Sequence, residues 1–334
     1  MIFAILLAAL PALHADLGQT SVSGLSSGAY MAGQFAVAYS SLVKGVGLVA
    51  GGPYYCAGSV GQAPYIPYLA NAMSVCMNPR ASGTEPPDAV LLWERAKQFA
   101  SAGLIDDVAN LQKQSVFLYS GTRDDTVTTA VVDQASYFYL FAGARTVNYM
   151  DTVGSGHGMI TDRASDNACP VTAAPYFNNC QLPLAAQMLA QFYPGLKPPS
   201  RHLSGQSIAF NQRAYASAAT SMAATGYAYV PAPCPKGACR VHVAFHGCHQ
   251  GYATIGDHFV ARAGYNAIAD ANKIIVLYPQ VSPSPFIPYN PKGCWDFWGY
   301  SALDPFAPDF FTRSGPQMQA VRAMLLRLSQ PVTK

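Results

Sequence analysis

The sequence predicts an α/β domain with a mostly parallel central sheet and helices on both faces. Three observations carry this. Short β-rich apolar runs alternate with stretches of helical spacing along nearly the whole chain, the pattern of repeated strand–helix–strand units. At 334 residues the chain can bury a continuous core beneath such a sheet. Only 11% of its residues are charged and 51% are hydrophobic, against roughly a quarter charged in ordinary soluble domains.

The elements follow in order. Residues 1–15, MIFAILLAALPALHA, form an apolar block ending in small residues. It reads as the core and cleavage zone of a secretory signal, and it is too short to span a bilayer. No Lys or Arg precedes Lys44, so the positive start usual for such a signal is missing. A β-like run at 20–22 leads through a Ser/Gly turn into a helical stretch at 29–39, rich in small residues. Next come a strand at 46–49, a helix at 90–100, a strand at 116–119, a helix at 131–141 and a strand at 146–149. A helix at 184–192 precedes strands at 227–230 and 241–245, then a helix at 264–271, a strand at 274–278 and a helix at 317–328. The strands are short and rich in Val, Ile and Tyr; the helices are longer and periodic. Pro-rich stretches at 194–199 and 279–291 read as loops. YPGLKPPS could divide the chain, but neither half has strands enough for a sheet. Residues 16–334 are therefore read as a single catalytic domain with no appended substrate-binding domain. No later apolar run is long enough for a transmembrane helix.

The net charge of +3 is small and scattered, with no basic run, which argues against a nucleic-acid partner. The eight cysteines are an even number, and in chain order they fall as Cys56 and Cys76, Cys169 and Cys180, Cys234 and Cys239, Cys248 and Cys294. Eight allow roughly a hundred pairings, so their connectivity stays open. No spacing is that of a zinc ribbon. An oxidising compartment is the reading that fits, hence a secreted protein, extracellular or periplasmic.

Gly24-Leu25-Ser26-Ser27-Gly28 is a G-x-S-x-G turn between a β-like and a helix-like run, the context a nucleophile elbow requires. The strained central residue would force side chains two positions either side to collide, and glycine removes the collision. That geometry selects Ser26 as nucleophile. It puts Ser27 at the helix N-terminus, where its N–H meets developing negative charge. The partners follow in the order Ser, Asp, His of α/β-hydrolases. LYSGTRDDTV places acids beyond the end of a strand, and GSGHGM puts His157 in a Gly-rich loop approaching the same edge. Asp124 is chosen over Asp125, with Val127 packing the turn beneath it.

A second oxyanion donor is absent ahead of Ser26, where such folds usually carry it. VHVAFHGCHQ, residues 241–250, supplies the expected strand and His-Gly turn far downstream. Circular permutation explains this: the strands that normally come first have moved to the C-terminal part. A metal site from His246, Cys248, His249 and His258 competes, but alternation and tight turns would scatter those side chains, so no metal and no cofactor are expected. His242 reads as a satisfied sheet residue; His14 and His202 carry no signal.

SGLSSGAYMA, AGGPYYCA, GTRDDTV, GSGHGM, VHVAFHGCHQ, IIVLYPQ and NPKGCWDF, in this order, resemble the single-domain extracellular poly(3-hydroxybutyrate) depolymerases from about Gly18 to the C-terminus. The resemblance implies a circularly permuted α/β-hydrolase fold, a triad of Ser26, Asp124 and His157, oxyanion N–H groups from Ser27 and Cys248, and a Cys248–Cys294 disulfide. A substrate-lining Trp of the family is replaced here by Phe297, with Trp298 next to it. Trp295, Phe297 and Trp298 are candidate substrate-binding residues, part core and part platform. The expected activity is ester hydrolysis of poly(3-hydroxybutyrate) or related short-chain polyhydroxyalkanoates, by a monomer whose partner is a polyester or oligoester. Alternatives are the same triad on feruloyl or acetyl polysaccharide esters, synthetic polyesters or small esters, and a non-catalytic binding protein.

Overall fold

The computed structural model describes residues 8–60, 67–236 and 238–332. Its strands are β1 (Asp16–Leu25), β2 (Val43–Val49), β3 (Ser115–Tyr119), β4 (Thr146–Met150), β5 (Met159–Thr161), β6 (Asn167–Ala168), β7 (Phe177–Asn179), β8 (Gln206–Asn211), β9 (Thr225–Val230), β10 (Arg240–Phe245) and β11 (Ile274–Tyr278). Its helices are α1 (Ser27–Ala38), α2 (Pro67–Met73), α3 (Pro79–Ser82), α4 (Ala89–Ser101), α5 (Thr129–Phe141), α6 (Leu184–Phe192), α7 (Tyr252–Ile255), α8 (His258–Arg262), α9 (Tyr265–Ala271) and α10 (Pro316–Ser329).

One eight-stranded sheet runs in the order β4-β3-β2-β1-β10-β11-β9-β8. The six strands from β4 to β11 pair in parallel, and β9 and β8 complete one edge antiparallel. The mostly parallel sheet is thus as expected. So is the permuted order: β1 has β2 on one side, and on the other β10, which arrives more than two hundred residues later. The second half of β1 and all of β3 and β11 are buried, as strands covered on both faces must be, and their apolar runs follow from that.

Strand alternation on β2 shows how the helices divide. A side chain at Gly45 or Gly47 would run into Phe192 or Met188 of α6, whereas Leu48, pointing the other way, meets Gly33 of α1. α1 and α6 therefore lie on opposite faces. Their small residues let them press on the sheet.

The elements missing from the sequence reading are the weakly patterned ones. β8 is a largely exposed edge strand in which only Phe210 is buried. The three-stranded sheet β5-β7-β6 has strands of two or three residues, held by the Cys169–Cys180 disulfide. The other disulfides join Cys56–Cys76, Cys234–Cys239 and Cys248–Cys294. Residues 1–7 of the apolar opening block lie outside the described residues. Its remainder follows the end of α10: the N–H groups of Leu13 and Ala15 both donate to the Leu328 carbonyl at 3.0 Å, and Leu10 and Leu13 are buried. Among the described residues no helix is long and apolar enough to cross a membrane.

Candidate active site

β1 ends at Leu25 and α1 begins at Ser27, so Ser26 alone makes the turn between them. Its φ of 55° and ψ of −124° lie where a non-glycine residue is strained. The surroundings enforce that strain. The Ser26 N–H donates to the Val49 carbonyl at 2.9 Å, tying the turn to the end of β2. A Cβ on Gly24 would stand 2.3 Å from the Gly28 carbonyl, and one on Gly28 would stand 2.3 Å from that of Phe245. The two glycines thus close the turn and seat it against the end of β10. Ser27 opens α1, so its N–H has no partner within the helix, and none of the described residues supplies one. Its Oγ accepts the Trp295 N–H at 3.2 Å.

Asp124 sits in the loop after β3. Its Oδ1 accepts the N–H groups of Thr126 and Val127 at 2.8 and 2.9 Å, and its Oδ2 lies 2.7 Å from His157 Nδ1. Asp124 is buried whereas Asp125 is exposed. The loop rests on the one carrying His157: the N–H groups of Thr122 and Arg123 donate to the carbonyls of Val153 and Ser155. Tyr119 Oη is hydrogen-bonded to Ser155 Oγ at 2.7 Å. The His157 N–H donates to Thr172 Oγ1 at 2.8 Å. With Nδ1–H directed at the Asp124 carboxylate, His157 Nε2 is left to accept a proton. Ser26 and His157 line one cavity. No hydrogen bond joins them here, and such bonds often tighten only when substrate is present.

The turn after β10 is fixed from both sides. His246 is completely buried. Its Nε2 accepts the Val281 N–H at 3.1 Å, so its Nδ1–H donates to the Gly247 carbonyl at 2.8 Å. Burial pushes its pKa down to about 4, which keeps it neutral. The Gly247 N–H donates to Gln250 Oε1 at 2.8 Å, and Gln250 Nε2 donates to the carbonyls of Pro175 and Tyr176 at 3.1 and 3.0 Å. The next N–H, that of Cys248, has no partner among the described residues. Ser27 and Cys248 therefore both lie at the cavity end of neighbouring strands with unpaired amide groups. Gln250, which joins this turn to the wall beside His157, went unnoticed in the sequence; its only signal is a polar residue three positions past the turn glycine.

The donor atoms a metal would need are engaged at His246 and Cys248, by hydrogen bonds and by the disulfide. No group of three or more His, Cys, Asp or Glu among the described residues could hold one. His242 is a satisfied sheet residue: its ring nitrogens meet Ser21 Oγ at 2.7 Å and Ser23 Oγ at 2.8 Å. Burial lowers its pKa to about 3.

The cavity measures about 430 Å³. Leu69, Ala72, Met73 and Met77 line it, as do Tyr289, Phe297 and Trp298. Phe297 stacks on Tyr30 at 4.4 Å between ring centroids. Tyr30 in turn donates its hydroxyl hydrogen bond to the Cys76 carbonyl. Phe297 and Trp298 line the cavity, but Trp295 does not, which corrects its assignment as a substrate-binding residue. Trp295 is completely buried, against the rings of Phe245 and His246. Cys294 lines the cavity, Trp295 turns inward to cover the end of β10, and Phe297 and Trp298 return to the cavity. Asp296 sets that change of course. Its Oδ1 accepts the N–H groups of Trp298, Gly299 and Tyr300, and its Oδ2 takes the N–H and hydroxyl of Ser301.

No family model matches the chain. A poly(3-hydroxybutyrate) depolymerase of Delftia acidovorans is 41% identical over 328 residues, covering 96% of this chain and 61% of that protein. A polyhydroxybutyrate depolymerase of Talaromyces funiculosus is 38% identical over 307 residues, covering 87% of this chain and 85% of that protein. Among solved structures, the PHB depolymerase from Penicillium funiculosum superposes with a TM-score of 0.83 at 33% identity. It covers 96% of this chain and 99% of its own. A serine-to-alanine variant of a PHB depolymerase complexed with an R3HB trimer matches equally well.

Proposed function

The chain belongs to the poly(3-hydroxybutyrate) depolymerase family, and from that premise we propose that it is a secreted serine esterase cleaving poly(3-hydroxybutyrate) and its oligomers. One observation carries the assignment of roles: the strained Ser26, the Asp124-paired His157 and Cys248 line a single apolar cavity, and the Ser27 and Cys248 amides have no partner among the described residues.

Ser26 Oγ attacks the ester carbonyl while His157 Nε2 takes its proton. Asp124 holds the imidazole in the tautomer that makes this possible and stabilises the imidazolium that forms. The N–H groups of Ser27 and Cys248 receive the negative oxygen of the tetrahedral intermediate. As the intermediate collapses, His157 returns the proton to the departing hydroxyl, leaving an acyl-Ser26 ester. Water, deprotonated by His157, then releases the acid and restores Ser26. The strain and the hydrogen bonds are in place before substrate arrives, which is the condition for such donors to lower the barrier.

Phe297 and Trp298 present ring surface to the apolar methyl-bearing chain, and Leu69, Ala72, Met73 and Met77 extend the apolar lining. Every residue named comes from one chain, so a monomer suffices. Four disulfides support an oxidising compartment for the working enzyme, and an export signal in the apolar opening block would deliver it there. The test is incubation with a poly(3-hydroxybutyrate) suspension and identification of the soluble products. Release of 3-hydroxybutyrate monomer or short oligomers is expected. Hydrolysis of a soluble aryl ester with no release from the polymer would refute the substrate.

A further inference from the structure

The cavity is nearly free of charge, with one exception. Apart from histidines, Lys292 is the one ionisable residue other than tyrosine and cysteine among its described lining residues, and no carboxylate faces it there. Its side chain makes no ion pair and no hydrogen bond among the described residues. It is not on a loose loop. The His249 N–H donates to the Lys292 carbonyl at 2.8 Å, and the Gly293 N–H donates to that of Asn290 at 3.1 Å. Asn290 also grips Cys294 through both its amide groups, at 2.9 Å each. The Cys248–Cys294 disulfide then fastens the segment to the oxyanion turn. The backbone that carries the cation is therefore held on the Cys248 side of the cavity.

His249 stands beside it in the left-handed region, with φ of 61°, and also lines the cavity. Burial first, and the Lys292 charge second, lower the His249 pKa. The pair thus combines one positive charge with a neutral imidazole able to donate a hydrogen bond. An uncharged ester has no use for the exposed Lys292 cation. A hydroxyacid oligomer has one carboxylate, at one end only, and each cleavage creates another. We infer that Lys292, with His249 beside it, forms a subsite for the terminal carboxylate of a short hydroxyacid oligoester.

This rests on the substrate proposed above and adds a direction to it: short oligomers enter with their acid end on the oxyanion-turn side. The probe is the 3-hydroxybutyrate trimer as free acid and as methyl ester, with Lys292→Met and Lys292→Glu compared with the parent. The quantity read is the ratio of KM for the acid to KM for the methyl ester. An exposed ion pair contributes up to about 1 kcal/mol, so the ratio should rise about fivefold in Lys292→Met. It should rise further in Lys292→Glu, and high salt should narrow the parent's preference. An unchanged ratio, or equal rises for both trimers, would overturn the subsite. In parallel, both trimers are tested as inhibitors of 4-nitrophenyl butyrate hydrolysis. If the aryl ester is cut but neither trimer is, the polyester assignment fails, and the inhibition constants still decide the subsite. Selective weakening of the acid by Lys292→Met supports it; equal inhibition by both trimers, or by neither, overturns it.

Discussion

Removing the Cys248–Cys294 disulfide, by Cys248→Ala with Cys294→Ala, tests how the fold serves the chemistry. The bond closes a loop of 46 residues, and chain-entropy arithmetic gives it about 4 kcal/mol. With about 2 cal/mol/K of unfolding entropy per residue, this corresponds to a fall in Tm of about 6 °C. The catalytic loss follows from what remains. Complete loss of one oxyanion donor costs about 10²–10³ in kcat. Here the Gly247–Gln250 bond, the His249–Lys292 bond and the His246–Val281 bond still hold the turn. We therefore expect Cys248 N–H to be displaced but not lost, with kcat for a soluble aryl ester down about tenfold and KM little changed. Calorimetry and steady-state kinetics on the same preparation measure both. A variant with parental Tm and parental kcat would refute the reasoning, as would Cys248 found free by mass mapping of the unreduced protein.

Ser26→Ala should lower kcat on the order of 10⁶, with Ser27→Ala retaining much activity because its N–H survives. The second change leaves the buried Trp295 N–H without its acceptor, so unfolding measurements should show a loss of about 1–3 kcal/mol. Asp124→Asn should cost about 10⁴ in kcat through the wrong imidazole tautomer, and Asp125→Asn little; reversed rates would exchange their roles. Gln250→Met frees the Gly247 N–H and leaves the Pro175 carbonyl unpaired, while that of Tyr176 still accepts the Met159 N–H; kcat should fall with KM retained, and a rise in KM alone would make Gln250 a wall residue only. Acid should destabilise the fold through His242 and His246, whose pKa values burial lowers to about 3 and about 4. Depressed values mean stability is complete above about pH 6.5 and is lost as pH falls toward them, because the unfolded chain takes up the protons first. From pH 7.5 to 5 each contributes a loss of about 2 kcal/mol, and a Tm that does not fall over that range would refute the buried neutral pair.

The sequence disclosed what local pattern encodes and hid what long-range packing decides. The strands β2, β3, β10 and β11 are apolar runs because both faces are covered, and the same burial made them legible. G-x-S-x-G, the acidic turn and the His loop each carry their chemistry within a few residues, so Ser26, Asp124 and His157 could be named together. Asp124 could be preferred to Asp125 because Val127 needed a buried place, and its N–H indeed caps the Asp124 carboxylate. The cavity walls were illegible. Leu69 and Met73 come from a short helix whose placement depends on the Cys56–Cys76 disulfide, and Tyr176 comes from the loop beside Cys169–Cys180. Nothing in their own segments marks them as lining residues. Trp295 misled for a related reason: an aromatic run reads alike whether a ring faces the core or the cavity, and the Asp296 turn decides which.

The permuted order adds a requirement that no local motif could reveal. Ser26 and Cys248 must meet, although they belong to segments separated by more than two hundred residues, so the β1–β10 register sets the geometry of the site. In that register Ser21 stands opposite His242 and Gly24 opposite Phe245. His242 bonds both Ser21 and Ser23, whose hydroxyl also meets Tyr265 at 2.7 Å. A slip by one residue would turn these polar groups to the other face and leave them buried without partners, at a cost of about 1–3 kcal/mol each. The same slip would drive Gly28 away from the Phe245 carbonyl, whose closeness excludes any side chain there. The buried polar trio and the paired glycines therefore fix one register from below and from above. The Ser27 and Cys248 amides, standing just past the ends of these strands, inherit their spacing from it.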